Sequence, residues 1–305
     1  MIRRDFLKRS SGLALLLGTS RHYSSILDNT PEIETLTILH TNDVHSRIDP
    51  FPMDGGKYQG KGGVAKRAEI IKEIRSQEKN VLLLDAGDIF QGTYYFNLFK
   101  GEPELKLMTL LKYDASTLGN HDFDNGIEGF VSQRHHAKFP FVNCNYDVSN
   151  TKLNGLLEKF IIIKKSGIKI GITGVGVELD GLVPKDNIEG LMYLDPVACA
   201  NEQALILKEK HKCDLVICLS HLGYSYETKQ ISDLKLASQS KNIDIIIGGH
   251  THTFLDVPTK VNNLDKKPVI INQVGYAGIL LGRIDIKFEK SKSPECVYCK
   301  PIEIH

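Results

Sequence analysis

The chain has 305 residues, of which 41% are hydrophobic and 25% charged, and its formal net charge at pH 7 is +1. That length can bury a large core in one or two domains, and the composition is that of an ordinary soluble globular protein. Acids and bases are interspersed, which excludes the basic face expected of a protein that binds a nucleic-acid polymer.

At the N-terminus Arg3-Arg4-Asp5-Phe6-Leu7-Lys8 precedes a short apolar stretch, residues 11–18. A basic region followed by a short apolar one reads as a targeting segment. The stretch is too short to cross a bilayer as a stable helix, and the paired arginines before Phe-Leu-Lys resemble a twin-arginine export signal. The plainer alternatives are a disordered basic leader or a cytoplasmic helix cap. Residues 1–34 are therefore expected to be an export signal and linker, and residues 35–305 the catalytic domain. The expected location is periplasmic or secreted, or membrane-anchored if the leader stays uncut. No later segment is long and apolar enough to cross a membrane, so none is expected in the mature chain.

The folded part begins near Leu36. Residues 36–39 are an apolar run that reads as a buried strand, ending in His40-Thr41-Asn42-Asp43-Val44-His45. The glycine-rich loop that follows, residues 54–63, fits neither nucleotide-binding fingerprint, so its glycines read as turn formers. Residues 64–75 carry Val64, Ala68, Ile71 and Ile74 at helical spacing. Residues 81–84 form the next strand, leading into Asp85-Ala86-Gly87-Asp88, and this succession opens a βαβ unit. Thr93-Tyr94-Tyr95-Phe96 is an aromatic cluster beside this region, suited to stacking on a base and equally to a buried core or an interface.

Residues 105–111 read as a helix and 115–118 as a strand that runs into Gly119-Asn120-His121-Asp122-Phe123-Asp124. Residues 160–163 and 168–175 flank Lys164-Lys165-Ser166-Gly167 as a hairpin. Asp195-Pro196 caps a helix expected to reach about Lys210. Strands at 215–219 and 243–247 lead into Ser220-His221 and Gly248-Gly249-His250-Thr251-His252, and two late strands occupy 269–272 and 280–288. Helices alternating with strands first, then hairpins, predict an α/β protein whose mixed sheet or sheets lie between helices. Cys218 sits inside an apolar run and reads as core. Cys296 and Cys299 have the spacing of a zinc or redox pair, but no second pair accompanies them. A local surface disulfide or two free thiols is expected there.

Five polar clusters thus each follow an apolar run. In an open α/β sheet functional groups collect beyond the carboxyl ends of strands, so five loops can bring Asp, His and Asn together. Those side chains ligate hard-to-borderline divalent metals, which points to a metallohydrolase. In an extended segment Asp43 and His45 would point the same way, and His250 and His252 would repeat that geometry. Asp88 at a strand end can bridge two cations, with Asp85 supporting the loop. Asn120 offers a neutral oxygen. His121 can act as an acid, with Asp124 three residues on to orient it. Taken singly, each has a structural alternative, as a cap, an exposed His or a turn former.

In order, Asp43-x-His45, Gly87-Asp88, Gly119-Asn120-His121-Asp122, Ser220-His221 and Gly249-His250-Thr251-His252 match the signature of the calcineurin-like metallophosphoesterases. The longer strings, Thr41 to His45, Gly119 to Asp124 and Gly248 to His252, resemble the 5′-nucleotidase branch, and the likeness runs from about Leu36 to Phe288. It implies a four-layer α/β/β/α sandwich with two mixed sheets. It implies two divalent ions (zinc, manganese or iron), one held by Asp43, His45, Asp88 and His252, the other by Asp88, Asn120, His221 and His250. Asp88 would bridge them. A water or hydroxide between the metals would attack phosphorus in line. Asn120 and His121 would contact the substrate's phosphate oxygens, and His121, paired with Asp124, would protonate the leaving group.

The expected activity is hydrolysis of 5′-nucleotides or related phosphate monoesters. Cyclic-nucleotide phosphodiesterase or UDP-sugar pyrophosphatase activity is the nearest alternative, thiosulfate-ester hydrolysis a more distant one, and a non-catalytic metal-binding scaffold the alternative of another class. Complete relatives carry a C-terminal domain that grips the base. This chain ends shortly after its last strand, so a separately encoded substrate-binding partner is expected. Asp122 stands where many relatives have Glu and lies outside the metal set.

Overall fold

The computed structural model describes residues 34–288 and 294–305. The expected export signal and linker therefore lie outside the described residues, Glu34 excepted. Two mixed sheets organise the rest. The first runs in the order Glu295–Cys299, Leu280–Phe288, Glu34–Thr41, Val81–Asp85, Ala115–Ser116, Phe141–Val142 and Leu157–Glu158, with Ile302–Glu303 also paired to Leu280–Phe288. From Glu34–Thr41 onward its strands are parallel, while Leu280–Phe288 joins Glu34–Thr41 antiparallel. The second runs Thr259–Asn262, Pro268–Asn272, Ile245–Gly248, Leu215–His221, Ile168–Gly176 and Phe160–Lys165. Its four inner strands are parallel and both edges antiparallel.

Alternation along the strands sets the layers. Leu36, Ile38, Leu82 and Leu84 of the first sheet pack against Ile170, Ile172, Ile217, Leu219, Ile245 and Ile247 of the second. Leu39 and Leu83 point the other way, onto Ile71, Ile74, Leu105, Met108 and Phe130 of the helices Val64–Gln77, Glu102–Leu110 and Gly126–Gln133. Val216, Cys218 and Ile246 meet Ala200, Ala204, Leu236 and Ala237 of the helices Pro196–Leu205 and Asp233–Gln239. Central strands buried on both faces read as continuous apolar runs, which is why they were legible. Three apolar clusters between helix, sheet, sheet and helix make the four-layer α/β/β/α sandwich.

Several elements fall where the sequence placed them, with local differences. Asp195 caps its helix by accepting from the Val197 and Ala198 N–H groups, and the last turn, Ile206–Lys210, is wound as a π-helix. The hairpin turns on Ser166 and Gly167, whose φ values of 44° and 85° match a primed two-residue turn. The strand expected at 115–118 is only Ala115–Ser116, because the chain turns away at Thr117 to begin the His121 loop. The glycine-rich loop is a turn region with positive φ at Gly55, Gly60, Gly62 and Gly63. Cys296 and Cys299 form a disulfide. They pair with Ile286 and Ile284 around a bulge, which sets both on the face toward the core between the sheets. Among the described residues no helix is long and apolar enough to cross a membrane.

Candidate metal centre

The polar clusters after Glu34–Thr41, Val81–Asp85, Ala115–Ser116 and Ile245–Gly248, with His221 at the end of Leu215–His221, meet at one place. Beyond Thr41 the backbone is no longer extended: φ is 50° at Asp43 and 51° at His45. The expectation that these two share one face of an extended segment is corrected accordingly. Asp88 (φ 54°), His250 (75°) and His252 (52°) adopt the same left-handed conformation. A non-glycine residue there costs about 1–3 kcal/mol and persists where its surroundings hold it. The surroundings do so. Asp43 N–H donates to Gly87 O at 2.9 Å and His45 N–H to Asp88 O at 3.0 Å, lacing the first two loops together.

Two groups of side chains result. Asp43, His45 and His252 form one, and Asp88, His221 and His250 the other, each with its candidate ligand atoms within 4.8 Å of one another. Asn120 joins the second, its Oδ1 2.8 Å from His250 Nδ1. His250 and His252 therefore serve different groups, and the expectation of a local clamp repeating the Asp43 and His45 pair is corrected. The groups adjoin across their carboxylates. Asp88 Oδ2 lies 3.1 Å from His221 Nε2 and 3.8 Å from His45 Nε2. Asp43 Oδ1 lies 3.4 Å from His252 Nε2 and 3.9 Å from His221 Nε2.

Backbone carbonyls orient two of the rings. His45 Nδ1 faces Phe90 O at 3.2 Å and His221 Nδ1 faces Ala86 O at 2.7 Å. A carbonyl only accepts, so the neutral ring carries its proton on Nδ1 and turns the Nε2 lone pair inward. Glycines let these elements close up. A Cβ on Gly119 would stand 2.1 Å from Asp88 Oδ1, and one on Gly249 2.8 Å from His221 Nδ1.

Electrostatics match groups built for cations. Burial, with help from His221, lowers His250 to about 4, and burial lowers His45 against the pull of Asp88. Both rings are thus kept neutral, the form that ligates. Burial disfavours a charged His221, yet Asp88 and Asp43 outweigh it and raise the ring to about 10. Burial likewise works against an ionised Asp88, and the His221 and His45 charges override it, lowering the carboxyl. His221 Nε2 is buried and faces the Asp88 and Asp43 carboxylates at 3.1 and 3.9 Å, and His45 Nε2 meets His252 Nε2 at 3.0 Å. Imidazole nitrogens that face one another and two buried carboxylates fit divalent cations.

Beside the centre, His121 Nδ1 lies 3.0 Å from Asp124 Oδ2, the contact expected from their spacing. This hydrogen bond raises the His121 pKa, with burial opposing and Asp88 assisting. The His121 ring stands edge-on to His45 at 5.3 Å between centroids, and its backbone N–H donates to Asp88 Oδ1 at 2.8 Å.

Asp85 supports its loop as expected, accepting from Thr41 Oγ1, Ser116 Oγ and Gly87 N–H. Asp122 lies outside both ligand groups, as expected, and is central to the scaffold. It accepts from the N–H groups of Asp88, Ile89, Phe90 and Gly119 at 2.8–3.2 Å. Asn42 donates to Asp43 Oδ2 at 2.6 Å. Gln273 was missed. Its Nε2 donates to Gly249 O at 2.6 Å, and its Oε1 accepts from Thr251 and Thr253. The signal was present, since Asn272-Gln273 ends an apolar strand as the other clusters do. The aromatic cluster divides. Phe96 is buried on Phe90, while Tyr94 is exposed and stacks on Tyr95 with both hydroxyls on Asp49. A second aromatic group, Tyr58, Phe254 and Tyr276, adjoins His252.

Comparison with known proteins agrees with this arrangement. Residues 36–254 match the calcineurin-like phosphoesterase family. The chain is 35% identical over 282 residues to snake venom 5′-nucleotidase of Crotalus adamanteus, covering 83% of this chain and 45% of that protein. It is 33% identical over 287 residues to the trifunctional nucleotide phosphoesterase protein YfkN of Bacillus subtilis (strain 168), covering 84% and 18%. The solved 5′-nucleotidase precursor from Thermus thermophilus superposes with a TM-score of 0.80 at 32% identity, over 88% of this chain and 54% of that one. The chain thus spans about half the length of these relatives or less. A family match over most of its length, on a shared fold, makes the chain a member of the calcineurin-like phosphoesterase family.

Proposed function

We propose that this chain hydrolyses phosphate monoesters of the 5′-nucleotide class with two divalent cations held side by side. The observation that carries the reading is the adjoining of two ligand groups across Asp88 and Asp43, with the His121–Asp124 pair at their edge. One cation would be held by Asp43, His45, Asp88 and His252, the other by Asp88, Asn120, His221 and His250. Imidazole and carboxylate ligands suit zinc, manganese or iron. When bound, the cations supply Lewis acidity and a water activated for in-line attack at neutral pH. The protein's own residues do the rest. Asp88 fixes the spacing of the two groups. Asn120 and His121 contact the phosphate oxygens. His121, kept protonated by Asp124, gives its proton to the departing alkoxide oxygen.

The reading includes export through the twin-arginine-like leader to the periplasm or exterior, retained as an anchor if uncut. The Arg3-Arg4 pattern and the Cys296–Cys299 disulfide, a bond favoured in oxidising compartments, support it. A second reading, broader activity on cyclic nucleotides or UDP-sugars, draws on the likeness to a trifunctional nucleotide phosphoesterase.

The test is hydrolysis of AMP, cyclic AMP, UDP-glucose and bis-p-nitrophenyl phosphate with added manganese or zinc, read as the loss of each substrate. AMP turnover that exceeds the other three supports the monoesterase reading. Preference for either diester or for UDP-glucose replaces it with the second, and no turnover with any metal leaves the scaffold.

A further inference from the structure

Asn187 lies on the short turn Lys185–Ile188, 66 residues beyond His121, which no motif connects to the site. Its side chain nevertheless reaches the turn that carries the His121–Asp124 pair. Asn187 Nδ2 donates to Phe123 O at 3.1 Å and to Asp124 O at 3.0 Å. These carbonyls close the 3₁₀ turn His121–Phe123, and the last carbonyls of a helical turn have no partner within it. Two carbonyls can be met only by N–H, so the orientation of the amide is fixed. Just beyond, Gly126 takes a φ of 73° and the chain turns into the next helix.

The consequence is mechanical. Asp124 holds His121 Nδ1 through Oδ2 at 3.0 Å, and a carboxylate orients a ring only if its own backbone is held. Within the turn, the Asp124 N–H donates to His121 O at 3.2 Å; Asn187 secures the other side of the same peptide segment from a different part of the chain. We infer that Asn187 is the positioning residue of the His121–Asp124 pair, aligning the proton that His121 delivers to the leaving oxygen. This rests on the general-acid reading of His121. Asn187 is half-buried at the wall of a polar cavity it shares with Asn125 and Gly126, so changing it does not hollow the core.

A general acid matters for a poor leaving group and little for a good one. The test is therefore kcat on glycerol 2-phosphate, which loses an alkoxide, against 4-nitrophenyl phosphate, which loses a stabilised phenolate. The manganese-loaded full chain is compared with Asn187→Asp, Asn187→Ala and His121→Ala. Asn187→Asp keeps the size and removes the donor, so a role in packing alone would leave it active. The expected result is a roughly tenfold lower kcat on the alkyl ester in both Asn187 variants. On the aryl ester the change stays within about twofold, and KM and bound manganese are unchanged. His121→Ala shows the same selectivity, larger in size. Full activity of Asn187→Asp on the alkyl ester, or equal losses on both esters in the Asn187 variants, overturns the inference and leaves the general acid standing. Equal losses on both esters in His121→Ala overturn the general-acid reading and this inference with it.

Discussion

The Asp88 carboxylate lies 3.1 Å from the imidazole of His221, and both side chains are buried. The contact spans the two large sheets, since Asp88 follows a strand of the first and His221 ends a strand of the second. A single carboxylate thus ties the geometry of the centre to the packing of the whole sandwich.

Gly119 tests how closely that geometry is set. A Cβ there would fall 2.1 Å from Asp88 Oδ1 and 2.6 Å from Asp88 N. Gly119→Ala is expected to displace the carboxylate and lower bound metal and activity by roughly 10–100-fold. Its far-UV circular dichroism should match that of the wild type. Full metal content in the variant would show that the approach is not needed.

Asp122 gathers four N–H groups from the Asp88 and Gly119 loops. Asp122→Ala leaves them buried without acceptors, at about 1–3 kcal/mol for each donor that finds no water. A loss of at least about 2 kcal/mol in denaturant unfolding is expected, together with weaker metal binding. A loss below about 0.5 kcal/mol would mean the loops hold themselves.

His252 rests on aromatic packing, its ring lying parallel to Tyr276 with centroids 5.0 Å apart. Tyr276→Ala is expected to shed about one metal ion per chain on dialysis, the one nearest Asp43 and His45, whereas Tyr276→Phe keeps it. Equal metal content in all three proteins would remove Tyr276 from the account.

His40 gives the pH dependence a sign. Burial lowers its pKa to about 3, and its Nε2 takes a hydrogen bond from Asn272 at 2.9 Å. The folded chain keeps this ring neutral while the unfolded chain protonates it below about 6.5. Stability from this group is therefore lost as pH falls from about 6.5 to about 3, by up to about 1.4 kcal/mol per pH unit. His40→Gln should flatten the acid limb of the stability curve by up to one proton. An unchanged slope would contradict this.

Much of the site was legible because its residues follow apolar runs that the two-sheet core requires. Leu36, Ile38, Leu82, Ile217 and Ile245 announce their strands by burial, and the strand ends point to the polar clusters. How the side chains converge was not legible. The left-handed backbone at Asp43, His45, Asp88 and His250 is held by hydrogen bonds between loops distant in sequence, not by local pattern. For the same reason the scaffold roles of Asp122 and Asn187 were hidden, since their partners are backbone groups that every residue type carries. Short pairings such as Tyr146–Asp147 with Met192–Tyr193 lack the length for any period to show.

The measurement that tests the central claim most directly is titration of the metal-free chain with manganese, following bound metal and AMP hydrolysis together, for wild type and Asp88→Asn. The account predicts two ions per wild-type chain, with activity appearing as the second binds. In Asp88→Asn it predicts loss of at least one ion and a roughly hundredfold lower rate. Full activity of the wild type at one ion per chain, or two ions and full activity in Asp88→Asn, would contradict it.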